Sequence, residues 1–189
     1  MGNAQVMMAM PSTGGRPDLG QLPKWAVDYL VSQDQRAEDV LFANADAAGS
    51  VPWHLRDDAT GKAISIDDHP TFWMDRRDNS QTDFQSTFSS AGTGWTPDQA
   101  HKPSLTYLPY VLTGSQYYLE ELEAQSAYSM SGIFPQYRGY GDGLIGGDGD
   151  GVIQVRGQAW AMRDLADAAY IIPDDNPMKD YFTGQLQAN

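Results

Sequence analysis

Cysteine is absent from the chain, which excludes disulfide staples, thiolate metal sites and a cysteine nucleophile while leaving the redox compartment open. Basic residues are scarce: 12 Lys and Arg stand against 25 Asp and Glu, a formal net charge of -13. Such a surface repels nucleic acid and anionic lipid headgroups, so neither is an expected partner. It fits plain solubility, and also a saline setting. A long apolar run is lacking too. The stretch Met1 to Met10 is broken by Asn3 and Gln5 and carries no basic residue, so neither a signal peptide nor a membrane span is expected there, and the compartment stays unassigned. What remains is ordinary globular material: 189 residues, 41% hydrophobic and 20% charged, enough to bury a core.

The pattern along the chain is mainly helical. Residues 1–16, rich in Met and Gly, show no sustained period and read as a flexible N-terminal arm, with an ordered domain expected over 17–189. From Pro23 to Ser32, Trp25, Ala26, Tyr29 and Leu30 recur at helical spacing, and after Gln33 so do Ala37, Val40, Leu41 and Ala45. The short connection between them favours antiparallel neighbours. Val51, Trp53 and Leu55 alternate with polar or turn residues before Asp57-Asp58-Ala59-Thr60-Gly61-Lys62, which predicts a small β-hairpin reaching Ile66. Residues 76–94 read as a long irregular loop.

A second helix pair follows. Thr96-Pro97 fits an N-cap and first helical position, and the main helix is expected over Pro103–Leu112 with Leu105, Leu108 and Leu112 inward. Thr113-Gly114-Ser115 breaks it, and Tyr118, Leu119, Leu122 and Met130 mark the returning helix. The segment Gly139–Gly151, with seven glycines in thirteen residues, must be a loop. Beyond it Val155, Ala159, Met162, Ala166 and Ala169 predict the inner face of a long helix that stops at Pro173. Asn176-Pro177 then caps a last helix carrying Met178, Tyr181 and Phe182, which completes a third pair.

One segment bears chemistry. Gln154-Val155-Arg156-Gly157-Gln158-Ala159-Trp160 resembles the Arg-Gly-Gln-Ala-Trp motif of the unsaturated glucuronyl hydrolases and their rhamnogalacturonyl relatives, which are six-hairpin α/α toroids. The resemblance implies antiparallel helix hairpins of an α/α toroid, and a pocket lined by the motif arginine and tryptophan where a terminal sugar binds. Arg156, Gln158, Trp160 and Arg163 are thus the candidate substrate-binding residues. The spacing agrees for three of them: Arg156, Trp160 and Arg163 fall at i, i+4 and i+7 on one helix face. An indole can stack on a sugar ring, and a guanidinium offers a planar fork to a carboxylate. The bland alternative makes Trp160 a core residue and pairs Arg163 with Asp167.

The chain as a whole also resembles a group of bacterial toroid proteins with no assigned reaction. The shared segments are Thr13-Gly14-Gly15-Arg16-Pro17-Asp18, Asp67-Asp68-His69-Pro70, Ala100-His101-Lys102-Pro103-Ser104-Leu105 and Gln154 to Trp160. That resemblance implies a longer complete ring, of which three helix pairs would form about half, so a missing remainder or a homo-oligomer is an expected partner. The motifs around the two key aspartates of the hydrolases have no counterpart, so no catalytic aspartate carries over.

His101 and Tyr107 are the candidate catalytic residues. Both lie near the start of an expected inner helix, and a histidine there can move protons near neutral pH, as in hydrolysis or β-elimination next to a carboxylate. The alternative for His101 is a loop hydrogen bond. Asp57-Asp58 and Asp67-Asp68 could supply carboxylates, with turn and capping roles as the competing readings. Gly147-Asp148-Gly149-Asp150-Gly151 resembles the middle of a calcium loop, making Asp148 and Asp150 candidate ligands. Gly146 and Gly157, however, stand where the first and last acidic ligands belong. No other cofactor is expected. The sequence thus predicts a carbohydrate-binding toroid protein, a glycoside hydrolase or polysaccharide lyase if active, with a noncatalytic scaffold as the alternative.

Overall fold

A computed structural model describes residues 4–12, 14–74, 94–147 and 154–189. Among them are six α-helices: α1 Lys24–Ser32, α2 Gln35–Asp46, α3 Tyr107–Thr113, α4 Gln116–Ser131, α5 Val155–Ile171 and α6 Lys179–Ala188. Consecutive helices pack on each other as α1 with α2, α3 with α4 and α5 with α6, and α4 packs as closely on α5. The protein is mainly helical, and no described helix is long and apolar enough to cross a membrane.

Local chemistry explains the turns. Gln33 takes the left-handed conformation at φ 54° and returns its N–H to Tyr29 O, after which Asp34 caps α2 by accepting from Arg36 N at 2.8 Å. Gly114, at φ 64°, does the same work between α3 and α4. Pro173 follows the end of α5. The Asn176 side chain accepts from Met178 N at 2.8 Å ahead of α6.

Helix α4 is the axle of the packing, with thirteen of its sixteen residues buried, so its polar groups must find partners inside. Glu121 accepts from the ring of His54 and Glu123 from Asn176, while Gln125 donates to Pro103 O and Ser126 to Asp164 O. Two apolar clusters flank this helix. One gathers Trp25, Leu41, Trp53, Phe72, Leu105 and Tyr128; the other gathers Ile66, Leu119, Met130, Leu165, Ala168 and Phe182. A second buried polar strut is Arg138, whose guanidinium donates to the carbonyls of Pro70, Phe72, Ile133 and Tyr140. Burial, which disfavours the charged form, lowers its pKa to about 10.

Several expectations change. The segment read as a loose arm places Val6 at 1% and Met10 at 0% exposure in the first cluster, because these side chains fill space that the short α1 leaves open. Thr96 does not cap a helix. Its backbone bridges Ala9, with Met10 N donating to Thr96 O and Thr96 N to Met8 O, so the supposed arm and the supposed helix start satisfy each other. Residues 103–106 are not helical and α3 begins at Tyr107. Pro109, which lacks an N–H and would clash with the carbonyl four residues back in a helix interior, is accommodated in the first turn of α3, and Leu112 ends up exposed. Leu30 and Val40 are exposed as well. In place of a hairpin with strands there is one isolated antiparallel bridge, Arg56 to Ala63, closed by the Asp57 turn. The irregular loop read at 76–94 falls almost wholly outside the described residues.

The largest change concerns α5. Val155 and Ala159 point to solvent, and the buried face runs through Gly157, Ala161, Leu165 and Ala168, with Arg163 and Asp164 buried beside it. Hydrophobic spacing alone favoured the alanine stripe, but two oppositely charged neighbours that pair internally can be buried together.

Candidate functional site

One flank of α5 faces two non-helical segments, residues 14–20 and 98–106, each containing a turn. Gly157 lies beside the second: a Cβ placed there would make ordinary contact, at 3.7 Å, with the backbone of Gln99 and Ala100. That brings His101 against Arg156. The Arg156 guanidinium donates to His101 Nε2 at 2.6 Å, and His101 Nδ1 meets Asp98 Oδ2. Because arginine does not give up its proton, Nε2 must carry the lone pair, and the ring is the neutral tautomer with Nδ1–H donating to the Asp98 carboxylate. Arg16 ties down the same segment, donating to His101 O at 3.0 Å while its fork engages both oxygens of Asp18.

Gly14 completes the seat of Arg156. A Cβ at residue 14 would fall 1.8 Å from the Arg156 guanidinium, so the cation lies directly over the glycine. Arg156 is half-buried. Its Nε is shielded from solvent and finds no hydrogen-bond partner.

One turn along, Trp160 is half-buried with its indole N–H also unpartnered. Arg163 lies over the indole at 5.0 Å from the ring centroid. Unlike Arg156, Arg163 is committed inward. It donates to Asp164 Oδ1 through two nitrogens, to Gly20 O at 2.7 Å and to Lys102 O at 3.3 Å. Asp164 is the hub of this node, accepting also from Ser129 Oγ at 2.7 Å and lying 3.3 Å from Lys102 Nζ. Lys102 is fully buried and donates to Gln99 and Ser129 as well. Loss of hydration outweighs its attraction to Asp164 and lowers the ammonium pKa to about 8.

The expected pairing of Arg163 with Asp167 is therefore replaced by the pairing with Asp164, the next residue in the chain. Asp167 is left on the same flank, at i+11 from Arg156 and i+7 from Trp160. Burial first, and the charge of Asp164 second, push its carboxyl up to about 7. It is the carboxyl on this flank closest to a proton-transfer range.

The remaining candidates separate from the seam. Gln158 is half-buried, but two residues along a helix places it roughly 200° around the axis from Arg156. Tyr107 opens α3, half-buried, and both ring nitrogens of His101 are already engaged by Asp98 and Arg156, so the two candidate catalytic residues share no hydrogen bond. Asp57 accepts from Ala59 N and Thr60 N and from the ring of His69, which holds its carboxyl below the usual range. Asp67 accepts from Gln185 and Asp68 from Ser65, so both doublets serve turns and tertiary ties. Asp148 and Asp150 lie outside the described residues, and among those described no three His, Asp or Glu side chains come together as a metal-ligand set.

Sequence reasoning missed Asp98, Lys102, Asp164 and Gly14. Asp98 had a local signal, an acidic residue three positions before a histidine, whereas Gly14 and Lys102 acquire their roles only through segments distant in the chain. In the comparisons with known proteins, no family model, curated protein or solved structure matches this chain.

Proposed function

We propose that the α5 flank binds an acidic sugar, with Arg156 engaging the uronate carboxylate and Trp160 stacking on the ring. The fold would be a set of helix hairpins of the partial α/α toroid kind. The observation that carries this proposal is the Asp98, His101, Arg156 chain: a guanidinium bonded through one terminal nitrogen to a neutral histidine, over a glycine, one turn from an indole. Cations seated this way are pre-organised for a planar anion. Arg163 covers one face of the indole, and the sugar would stack on the other.

Binding is favoured over catalysis, since both ring nitrogens of His101 are engaged and glycoside hydrolysis usually needs two carboxyl groups flanking the bond. Asp167 would supply one. A second reading, a noncatalytic scaffold, draws on the inward commitment of Arg163 and Lys102, whose partners are all within the protein.

Calorimetric titration with saturated and unsaturated uronic oligosaccharides, beside neutral oligosaccharides of equal length, tests the proposal. The acidic sugars should bind and the neutral ones should not. Trp160→Ala and Arg156→Ala should each weaken binding while the thermal unfolding transition is retained. Collapse of the Trp160→Ala protein on heating would make the indole a core residue, and absence of uronate binding by the unaltered protein would leave the scaffold reading.

A further inference from the structure

Arg156 is not waiting with its donors free: one of its terminal nitrogens is spent on His101 Nε2 at 2.6 Å. A ligand carboxylate that takes this donor also removes the hydrogen bond that the Nε2 lone pair accepts from Arg156. We infer that the acidic ligand and one proton enter the site together, the proton going to His101 Nε2 as Arg156 turns its donor to the carboxylate. This rests on the uronate reading above and adds the stoichiometry of that binding.

The balance of charge supports the exchange. Before binding the group comprises the Arg156 cation, a neutral His101 and the Asp98 carboxylate. A monoanionic ligand alone would add one negative charge to a half-buried seam, at a desolvation cost. Proton uptake from solvent cancels that charge and turns Nε2 from an acceptor facing the anion into a donor to it. Asp98 is in place to pair with the resulting imidazolium through Nδ1–H, which makes it a positioning residue.

The other charged groups near the ring do not compete for this role. Arg16, from the N-terminal segment, binds the His101 carbonyl and is paired with Asp18. Lys102 turns its ammonium to Asp164, and Arg163 is bound to that same carboxylate. A neutral sugar cannot drive the exchange, so proton uptake distinguishes the acidic ligand class from the neutral one.

The test is calorimetry of the full chain with a glucuronate-terminated disaccharide, in phosphate and in Tris, whose ionisation enthalpies differ, over the range of about pH 5 to 8 in which histidines titrate. The expected result is uptake approaching one proton per ligand on the alkaline side, with affinity falling by about tenfold per pH unit there. His101→Gln, which keeps an acceptor for Arg156, should bind with no proton uptake and a flat pH profile. Asp98→Asn should show reduced uptake at a given pH. Binding by the unaltered protein with no proton uptake, or uptake that persists in His101→Gln, overturns the inference and leaves the uronate reading standing. Failure of the unaltered protein to bind the disaccharide at any pH overturns both.

Discussion

Arg156 and Arg163 stand two turns apart on one flank of one helix, yet the protein treats them differently. Arg163 is buried, 4% exposed, and its fork is closed on Asp164 and on the carbonyls of Gly20 and Lys102. Arg156 is half-buried, has no carboxylate partner among the described residues and leaves its Nε unpaired. The first arrangement locks two segments onto α5. In the second, a cation is held by a neutral base that a better acceptor can displace. The same residue type at the same helical phase thus serves architecture in one case and offers itself for recognition in the other, and the difference lies in what the neighbouring segments bring.

The largest effect should come from breaking the locked end. Asp164→Ala would leave Lys102 and Arg163 buried without their shared carboxylate, and unpaired buried charges cost about 3 to 5 kcal/mol. Urea denaturation should show a loss of that size. A loss under about 1 kcal/mol would mean that the node is hydrated or rearranges, and the contrast between the two arginines would weaken.

An intermediate effect is expected at the open end. Gly14→Ala puts a methyl group where the Arg156 guanidinium lies, and the mobile end of the arginine must move. Uronate affinity should drop about tenfold, equivalent to about 1.4 kcal/mol, with the unfolding transition nearly unchanged. Equal losses of stability and affinity would show that the seat of Arg156 is structural.

A third effect, which grows with pH, concerns Asp167. Its carboxyl, pushed up to about 7 in the folded protein, keeps its proton where the unfolded chain, near the ordinary 3.8, has lost it. The folded state therefore binds more protons across that window, and this group's contribution to stability falls as pH rises from about 4 to about 7. Asp167→Asn should remove the decline, so that the variant gains on the parent as pH rises and the two converge near pH 4. Parallel stability profiles for the two proteins would refute it.

The helix pairs were legible because their signals are local: a short connection after Ser32, a break at Gly114, an Asn176-Pro177 turn ahead of α6, and apolar residues at helical spacing. The phase of α5 was not. Its alanines suggested one inner face, whereas Gly157, Ala161, Leu165 and Ala168 form the buried one. Periodicity cannot foresee that Arg163 and Asp164 will neutralise each other and be buried. The expected helix over 103–112 shrank to α3, whose first turn holds Pro109, a residue that a longer helix would have placed in its interior.

At the site, the stripe of Arg156, Trp160 and Arg163 followed from eight residues of sequence and helix geometry. His101 could be named as a titratable candidate but not assigned a partner. Its link to Arg156 spans 55 positions, and the glycine beneath the guanidinium comes from the segment that had looked like a loose arm.

By itself, then, the chain's composition and local pattern determined a helical, acidic, cysteine-free protein and which side chains share the flank of its fifth helix. Only the tertiary structure decided which of those side chains is sealed and which is open. Burial and charge pairing depend on segments far apart in sequence, and helical spacing carries no information about which of them will arrive.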